Sequence, residues 1–459
     1  MNLTSYFMEA TYLVASILFI LSLKKMSHPD TARKGMFLAE AGMFAAIVGT
    51  LVGTHIVTWT WIIAGLAVGS IIGGWMAVSV PMTAMPQRTA LSHAFGALAA
   101  ALVGVGEFMV KGAEMGAVTR SALGFEVMLG ALTTTGSLIA AGKLQGVIGG
   151  KPIQFRGQNA ANLIVGLSMV SSFILFCIHP EMIAAFYTML GVAFVFGVML
   201  VIPIGSADMP VVMSLLNSYA GLAAAATGFV LSNNVLIIAG TLDGFSGFIL
   251  SVLMCKAMNR SITNVLFGGF GAVIAEASSN AGGVMREISL DDAAMQLAFA
   301  NRVIFVPGYG LATAQAQHAV RELGELLESR GVTVKYAIHP VAGRMPGHMN
   351  VLLAEANVPY SSLYEMDQIN PEFSSTDVAV VIGANDVVNP DARDNPKSLI
   401  AGMPILEVDH AKSVIVLKRG QGRGFSGLEN PLFFKPCTSM LYGDAKSSLS
   451  HLTQAVQHV

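Results

Sequence analysis

The sequence predicts two folds in one chain: an α-helical membrane bundle of nine transmembrane helices, followed by an α/β domain with a doubly wound parallel sheet. Of the 459 residues, 54% are hydrophobic and only 12% are charged, whereas about a quarter of an ordinary soluble protein is charged. The charges are uneven, since residues 1–262 hold only 12 of the 26 basic and 9 of the 28 acidic side chains. A bilayer part and a water-facing part therefore share the chain.

Charge balance and cysteine usage exclude several classes of function. The 26 basic side chains are matched by 28 acidic ones, so no strong basic field favours a nucleic acid as partner. Cys177, Cys255 and Cys437 show neither a disulfide-like nor a metal-binding spacing. This pattern indicates a reducing compartment and no metal centre.

Nine apolar runs predict the membrane helices, because a span needs roughly 20 apolar residues to cross the hydrocarbon core. We expect the first run to be a retained span and not a cleaved signal, since Lys24 and Lys25 follow it and no small-residue cleavage site comes after them. The runs are Tyr6 to Leu23, Phe37 to Thr54, Trp59 to Val80, Leu91 to Val110, Leu123 to Ala141, Leu163 to Ile178, Met182 to Ile204, Val211 to Leu231 and Val235 to Met254.

The basic residues between the runs predict the orientation. One set of loops carries ten Lys and Arg residues, Lys143 among them, whereas the other set carries only Lys111 and Arg120. By the positive-inside rule the amino terminus lies outside, and everything after Met254 lies in the cytoplasm. We therefore expect a transmembrane domain at 1–262, a linker at 263–292 and a cytoplasmic domain at 293–459.

A few polar side chains interrupt the spans, and each is a functional candidate because hydrocarbon disfavours unpartnered polar groups. His93 is the first candidate for carrying a proton, since imidazole titrates near neutral pH; a histidine bonded to a neighbouring carbonyl is the alternative. Asn217 could link a hydrogen-bonded chain or join two helices. Asp208 is either a carboxylate at the membrane border or a helix N-cap. The remaining candidates are Glu40, Glu126, Asp243 and a hydroxyl-rich turn of Thr133, Thr134, Thr135 and Ser137.

The last part of the chain begins with a segment rich in Gly, Ala and Ser from Phe267 to Asp292, which predicts a linker or hinge. After it, apolar β-branched runs alternate with helical patterns, which is typical of a parallel sheet covered on both faces. The predicted strands are Arg302 to Pro307, Val332 to His339, Asp377 to Gly383, Pro404 to Asp409 and Ser413 to Lys418, with a helix near Ala312 to Arg330.

A glycine turn between the first strand and this helix indicates a dinucleotide site in a Rossmann-like fold. Gly308 and Gly310 stand directly after the strand, where glycines allow a tight turn and a close approach of backbone N–H groups to a pyrophosphate. Thr313 occupies the position of the usual third glycine or alanine, so the motif alone is weak evidence.

The charges at the strand ends favour NADP(H) over NAD(H). A usual NAD site has an acid at the end of the second strand, but this chain has His339 and Pro340 there. Lys418 and Arg419 end the last predicted strand, where two cations could hold a 2′-phosphate; a solvated basic pair is the alternative. If they hold the phosphate, the dinucleotide runs across the sheet in the sense opposite to the usual one.

Four longer strings resemble the β subunit of proton-translocating NAD(P) transhydrogenases, and the resemblance covers essentially the whole chain. It implies nine membrane helices, a bound NADP(H) that is flipped relative to ordinary Rossmann enzymes, and a partner α subunit that binds NAD(H) and adds membrane helices. It further implies a dimer of the αβ unit in the bilayer of the bacterial cytoplasmic (inner) membrane. The strings are HPVAGRMPGHMNVLLAEA (339–356), GANDVVNP (383–390), GSADMPVVMSLLNSY (205–219) and CKAMNRS (255–261).

The resemblance also implies roles for individual residues. His93 matches the proton-channel histidine of the family, with Ser137 and Asn217 as polar companions and Asp208 at the coupling border. Asp386 is expected near the nicotinamide. The positions that match NADP(H) contacts are Gly308, Tyr309, Gly310, Val341, Ala342, Gly343, Arg344, Gly383, Ala384, Asn385, Asp386, Lys418, Arg419, Gly443, Asp444 and Ala445.

Two departures and two rival functions remain at this level. Gly420 and Phe425 stand where the family is expected to have serine and tyrosine, which puts a hydroxyl contact to the cofactor in doubt. One rival is an ion transporter or channel gated by a regulatory dinucleotide domain. The other is an assembly module that a nucleotide stabilises. Hydride transfer from NADH on the partner to NADP⁺ on this chain, coupled to proton movement, is the expected function.

Overall fold

The structure is a computed structural model, and it describes residues 3–53, 59–150, 152–179, 181–206, 208–259, 261–267, 284–396, 398, 400–420 and 428–459. The chain divides into two compact units. The first consists of Met1–Ile204 and Val212–Leu250, and the second of Gly205–Val211 and Ser251–Val459.

Nine helices in the described part of the chain are long and apolar enough to cross a membrane, which confirms the predicted number. Most of them extend beyond the apolar runs, because polar residues of the connections continue the helical turns. The helices are α1 (Leu3–Met26), α2 (Pro29–Gly53), α3 (Trp59–Ser79), α4 (Met85–Lys111), α5 (Ala117–Gln145), α6 (Gln158–Ile178), α7 (Ile183–Val201), α8 (Met209–Val230) and α9 (Asn234–Ala257).

Small residues bring the central helices of the first unit together. A Cβ on Gly130 of α5 would lie 2.8 Å from the carbonyl oxygen of Ala97 and 3.0 Å from the Cβ of Ala101, both on α4. On α5, Gly136 likewise lies against Leu216 of α8. Backbones approach this closely only where side chains are small, which is the usual device of helix packing in membranes.

Lys143, which was counted with the loop cations, lies instead in the last turn of α5 and is buried. Its Nζ donates hydrogen bonds to the carbonyl oxygens of Ile202 and Ile204, just after the end of α7. A buried ammonium needs such acceptors. Lys143 therefore joins the end of α5 to the chain that leaves α7.

The second unit contains a six-stranded, fully parallel sheet with the strand order β3-β2-β1-β4-β5-β6, which confirms the doubly wound fold. The central strand β4 is buried along its whole length, as expected for a sheet covered on both faces. The strands are β1 (Arg302–Pro307), β2 (Thr333–Ile338), β3 (Leu363–Glu365), β4 (Val378–Ile382), β5 (Ser413–Lys418) and β6 (Thr438–Tyr442).

Helices pack beside this sheet, and residues before Leu290 already belong to it. The N–H of Met440 in β6 donates to the carbonyl oxygen of Arg286, and the N–H of Ile288 donates to that of Met440. The remaining helices of the chain are α10 (Ile262–Phe267), α11 (Leu290–Ala298), α12 (Tyr309–Thr313), α13 (Gln317–Ser329), α14 (His348–Glu355), α15 (Met366–Ile369), α16 (Asp391–Asp394) and α17 (Ala445–His458). Of the predicted linker, residues 268–283 lie outside the described residues.

Two predictions about this unit were wrong in detail. Pro404 to Asp409 is not a strand, because its backbone bonds to Asn370 and not to a neighbouring strand: Asn370 Nδ2 donates to the carbonyl oxygen of Ile405, and the N–H of Glu407 donates to Asn370 Oδ1. The helix expected over Ala312 to Arg330 is interrupted, since Gln315 has a φ of +50° and ends α12. Strands β3 and β6 were not predicted.

Candidate functional site

The candidate cofactor residues lie at or just after the carboxyl ends of parallel strands, at one edge of the sheet. The order of the strands reverses between β1 and β4, so the loops after these two strands form the switch point, where ligands bind in open α/β sheets. Gly308 to Gly310 follow β1, and Gly383 to Asp386 follow β4. The sheet therefore brings together two segments that lie about 75 residues apart in the sequence.

The two loops cross with their backbones in direct contact. The N–H of Gly308 donates to the carbonyl oxygen of Ile382, and the N–H of Gly310 donates to that of Gly383, both at 2.9 Å. A Cβ on Gly310 would lie 2.6 Å from the Cα of Gly383, and Gly383 itself has a φ of +64°. Neither position tolerates a side chain. The glycines thus allow the two loops to cross in contact, and Ala384 is buried beside them.

The loop after β2 turns back over the start of the β1 loop. Arg344 places its guanidinium carbon 4.4 Å from the ring centre of Tyr309, a cation–π contact. The N–H of Arg344 donates to Nδ1 of His348, the first residue of α14. Gly343 has a φ of +115°, and a Cβ there would meet the His348 side chain. This places Val341 to Arg344 beside the Gly308 turn, as a cofactor site requires.

Burial changes the protonation of this loop. His339 is almost fully buried, and burial lowers its pKa to about 4, although the contact with the carbonyl oxygen of Pro404 at 2.8 Å acts in the opposite direction. Burial also lowers the pKa of Arg344 and raises that of Tyr309. His339 is therefore neutral at physiological pH, and Arg344 is the cation of the loop.

The loop after β4 is held by a residue that the sequence analysis did not single out. Nδ2 of Asn430 donates to the carbonyl oxygen and to Oδ1 of Asn385, at 3.0 and 3.1 Å. Asp386 begins a short 3₁₀ turn directly after it. Asn430 is buried, and its only sequence signal is that it precedes Pro431 as a helix-capping residue. The carboxamide of Asn385 is thus fixed in place.

Lys418 and Arg419 stand at the carboxyl end of β5, on the strand next to the switch point. Lys418 is half-buried, its Nζ lies 4.4 Å above the ring of Phe433, and burial lowers its pKa. Within the described residues neither cation has a carboxylate within 4 Å. Two cations without an anionic partner at a strand end fit a phosphate group, so the residues present suit NADP(H).

The sixth strand supplies the last predicted contacts. Gly443 follows β6 with a φ of +154°, and its N–H donates to the carbonyl oxygen of Lys418 at 3.0 Å. Asp444 is the N-cap of α17 and accepts from the N–H groups of Lys446 and Ser447. Ala445 begins that helix. Asp444 thus caps α17. Gly420 lies in open space, whereas Phe425 lies outside the described residues.

Three of the membrane candidates lie at one level of the first unit. Because α4 and α5 are antiparallel and Ala97 contacts Gly130, His93 stands one turn before that contact, level with the turn that contains Ser137. The contact between Gly136 and Leu216 places Ser137 and Asn217 at the same height. The sequence could not show this alignment, since it depends on helix packing.

These side chains differ in their hydrogen bonding. The Nδ1 atom of His93 and the hydroxyl oxygens of Ser137 and Thr133 are buried without a hydrogen-bond partner among the described residues. Asn217 donates through Nδ2 to Oδ1 of Asp243 on α9, at 3.1 Å. Asp208 lies apart from them in sequence, immediately before α8, and belongs to the second unit. Buried polar groups with unused hydrogen-bonding capacity can bind water or exchange a proton.

Comparison with known proteins extends over both units. A family model described as NAD(P) transhydrogenase beta subunit matches residues 8–455 of the chain. Two relatives from Rhodospirillum rubrum, one of them from a specified strain, are both named NAD(P) transhydrogenase subunit beta. Each is 47% identical to the chain over 459 residues, and the match covers 97% of this chain and 98% of the relative.

Proposed function

The chain belongs to the NAD(P) transhydrogenase beta subunit family, and on that premise we propose that it carries the NADP(H) site and part of the proton path of a proton-translocating transhydrogenase. Membership makes the chain part of an oxidoreductase that uses NADP(H), and the name of the subunit implies an alpha partner. The proposal adds which residues bind the coenzyme, where NAD(H) binds and how protons cross.

The residues at the edge of the sheet would hold NADP(H) by its phosphates. Lys418 and Arg419 would hold the 2′-phosphate, the side-chain-free backbone of the Gly308 to Gly310 turn would lie close to the pyrophosphate, and Arg344 would close the site from the β2 loop. Asn385 and Asp386 would lie near the nicotinamide. Of these observations, the two cations at the end of β5, which have no carboxylate partner in the described part of the chain, support NADP(H) over NAD(H) most directly.

The reaction needs no nucleophilic side chain in this subunit. A hydride would pass from NADH, which the alpha subunit would hold, to NADP⁺, which this chain would hold, and the products would be NAD⁺ and NADPH. When bound, the two nicotinamides supply the hydride chemistry, while the protein contributes position and electrostatics. Because the two couples are similar, the direction of net transfer is set by the proton gradient across the membrane.

The proton path is proposed to run through His93, Ser137 and Asn217, which lie at one level of the first unit. An imidazole can take up and release a proton near neutral pH, and hydroxyl and carboxamide groups can pass hydrogen bonds between water molecules. Asp208 and the Phe267 to Asp292 linker would carry the change toward the nucleotide-binding part. Protonation of His93 would then bias the binding and release of NADP(H).

The proposed setting is the bacterial cytoplasmic membrane, with the amino terminus outside and the sheet in the cytoplasm. The excess of Lys and Arg in one set of connections supports this orientation. A partner subunit is needed because the described part of the chain contains a single dinucleotide-type sheet. We propose that two αβ units form the complete enzyme.

Reconstitution into vesicles with and without the alpha subunit tests the function. We expect NADPH formation and a change in internal pH only when both subunits and both coenzymes are present. His93→Gln should reduce proton-coupled turnover by about two orders of magnitude or more, the size of effect that follows from removing an essential proton carrier. His179→Gln is the control, since this histidine is exposed and its partner among the described residues is Glu181.

The rival functions predict different results. Ion flux through this chain alone would support a gated transporter instead. If His93→Gln still moved protons, His93 would not belong to the proton path. If the wild type transferred hydride without any change in internal pH, the redox function would stand but its coupling to protons would be wrong.

A further inference from the structure

A carboxylic acid lies in the middle of the last membrane helix and is not part of the proposed proton path. Asp243 is separated by nine residues from the start of α9 and by fourteen from its end. Between Met209 and Met254, which covers α8 and most of α9, it is the only Asp, Glu, Lys, Arg or His. A carboxyl group at this depth disfavours insertion by roughly 2.5 to 3.5 kcal/mol, so its presence points to a function.

Asp243 is bonded to the proposed proton path directly. Its Oδ1 accepts from Nδ2 of Asn217 at 3.1 Å, and this is its only side-chain hydrogen bond among the described residues. One turn later on α9, Gly247 leaves room for the same carboxamide, because a Cβ there would lie 2.9 Å from Asn217 Nδ2. The Asn217 carboxamide therefore contacts one turn of α9, from Asp243 to Gly247.

The helices around this contact are tightly packed. A Cβ on Gly244 would lie 3.1 Å from the backbone N of Leu222, and a Cβ on Gly240 would lie 2.7 Å from the carbonyl oxygen of Gly221. The two backbones can approach this closely because three of these four positions are glycine. The close packing of α8 and α9 thus holds Asn217 and Asp243 opposite each other at a fixed distance.

A purely structural contact would not need a carboxyl group. Asn at position 243 could also accept the hydrogen bond from Asn217, without bringing an ionisable group into the membrane. Asp243 lies at the exposed surface of the unit, and the exposed side chains of Phe245, Phe248 and Ile249 flank it. What distinguishes Asp from Asn here is the ability to gain and lose a proton.

Other titratable groups of the unit are separate from this pair. Glu9 lies on α1, His93 and Glu107 on α4, Glu126 on α5 and Tyr219 on α8, two residues after Asn217. Within the described residues none of them forms an ion pair with Asp243. The protonation of Asp243 is thus coupled first to Asn217.

We propose that Asp243 is a second proton carrier of this subunit and acts next to Asn217. This inference rests on the proposed function. The carboxylate takes one proton from the preceding donor of the path and becomes a neutral acid, and it then gives that proton to the next acceptor, so that charge and atoms are restored in each cycle. Asn217 keeps its own protons and orients the carboxyl group.

Asp243→Asn in the reconstituted αβ enzyme tests the inference, because it keeps the size and the hydrogen-bond acceptor but does not titrate. We expect proton-coupled NADPH formation to fall about ten-fold or more, while NADP⁺ binding stays unchanged. Asp243→Glu should recover at least about a third of the rate with an altered pH profile. The control is Glu9→Gln, which removes another exposed carboxyl group from a span and should pump normally.

The outcomes separate this inference from the proposed function. If the wild-type enzyme does not move protons at all, the proposed function fails. If the wild type pumps and Asp243→Asn pumps equally, with the same pH profile, only the role of Asp243 fails.

A measurement on the wild type removes any dependence on how the variants fold. A hydrophobic carbodiimide modifies carboxyl groups that take up protons. Peptide mass spectrometry should find Asp243 modified, and more strongly at about pH 6 than at about pH 9. Absence of modification at every pH would overturn the inference.

Discussion

The sheet unit and the membrane unit differ in how the buried polar groups of their candidate sites are bonded. In the sheet unit, Nε2 of His339 meets the carbonyl oxygen of Pro404, and Asn430 fixes the Asn385 loop. In the membrane unit, the Nδ1 atom of His93 and the hydroxyl of Ser137 are buried without a hydrogen-bond partner among the described residues. The first arrangement holds loops in one position, whereas the second leaves polar atoms open to water and protons.

In the sheet unit, ion pairs also hold a buried carboxylate in place. The carboxylate of Asp409 is buried and accepts from Lys435 at 2.6 Å and from Arg393 at 2.9 Å. Burial alone would raise the pKa of Asp409, but the hydrogen bonds from these two cations outweigh it and lower the pKa. Under the proposed function, the fixed groups would orient the coenzyme and the unbonded groups would carry protons.

We expect the largest effect from a substitution that disrupts the loop crossing at the switch point. Gly383→Ala puts a Cβ at a φ of +64° and against the backbone of Gly310. Left-handed strain costs about 1 kcal/mol and the backbone collision adds several more. We expect the affinity for NADP⁺ to fall at least about a hundred-fold in calorimetric titrations of the αβ enzyme.

Gly331→Ala is the matched control for this substitution. Gly331 has a φ of +86° but open space around it, so only the strain remains and binding should hardly change. Equal losses of affinity in both variants would show that the crossing has no special role.

The next prediction concerns how the stability of the sheet unit depends on pH. Native His339, with a pKa of about 4, stays neutral, whereas the unfolded imidazole takes up a proton below about pH 6.5. The unfolded state therefore binds more protons, and the stability of the sheet unit should fall by about 3 kcal/mol between pH 6.5 and 4 and then level off. Thermal unfolding across this range measures it.

His339→Asn, which cannot become charged, should lose this pH dependence. Asp377, whose pKa of about 2 is held low by the Lys412 side chain, contributes only at lower pH, since its stabilisation is lost as pH falls from 3.8 to 2. An unchanged slope between pH 6.5 and 4 in His339→Asn would assign the acid sensitivity to other groups.

The smallest effect concerns the coenzyme preference. Lys418→Met removes one cation from the end of β5 and should lower the preference for NADP⁺ over NAD⁺ by about ten-fold to a hundred-fold, the usual size for a charge-assisted hydrogen bond. Lys412→Met, just before the opposite end of the same strand, removes the same charge and should leave the preference unchanged. Coenzyme titrations of both variants compare them, and equal effects would mean that Lys418 acts only by net charge.

The membrane helices and most of the sheet were predictable because their signals are local. Nine apolar runs and four of the six strands follow directly from composition and β-branched runs. β3 escaped prediction because three residues, Leu363–Glu365, carry too little pattern. Pro404 to Asp409 misled because its apolar residues resemble a strand, whereas in the structure Asn370 bonds to its backbone and Val408–His410 form a 3₁₀ turn.

The site was predictable in its parts and not in its assembly. The glycines, Lys418 and Arg419 could be selected from position and charge. The support from Asn430 and Phe433, and the contact of Asn217 with Asp243, depend on packing between segments that are distant in the sequence. The resemblance supplied the roles of individual residues, which pattern reasoning alone left between two alternatives.

The most direct test of the coupling is the affinity of the reconstituted αβ enzyme for NADP⁺ as a function of pH, in wild type and in His93→Gln. If protonation of this imidazole biases coenzyme binding, the wild-type affinity changes with pH and the variant's does not. We predict this loss of pH dependence. An identical pH dependence in both proteins would contradict it.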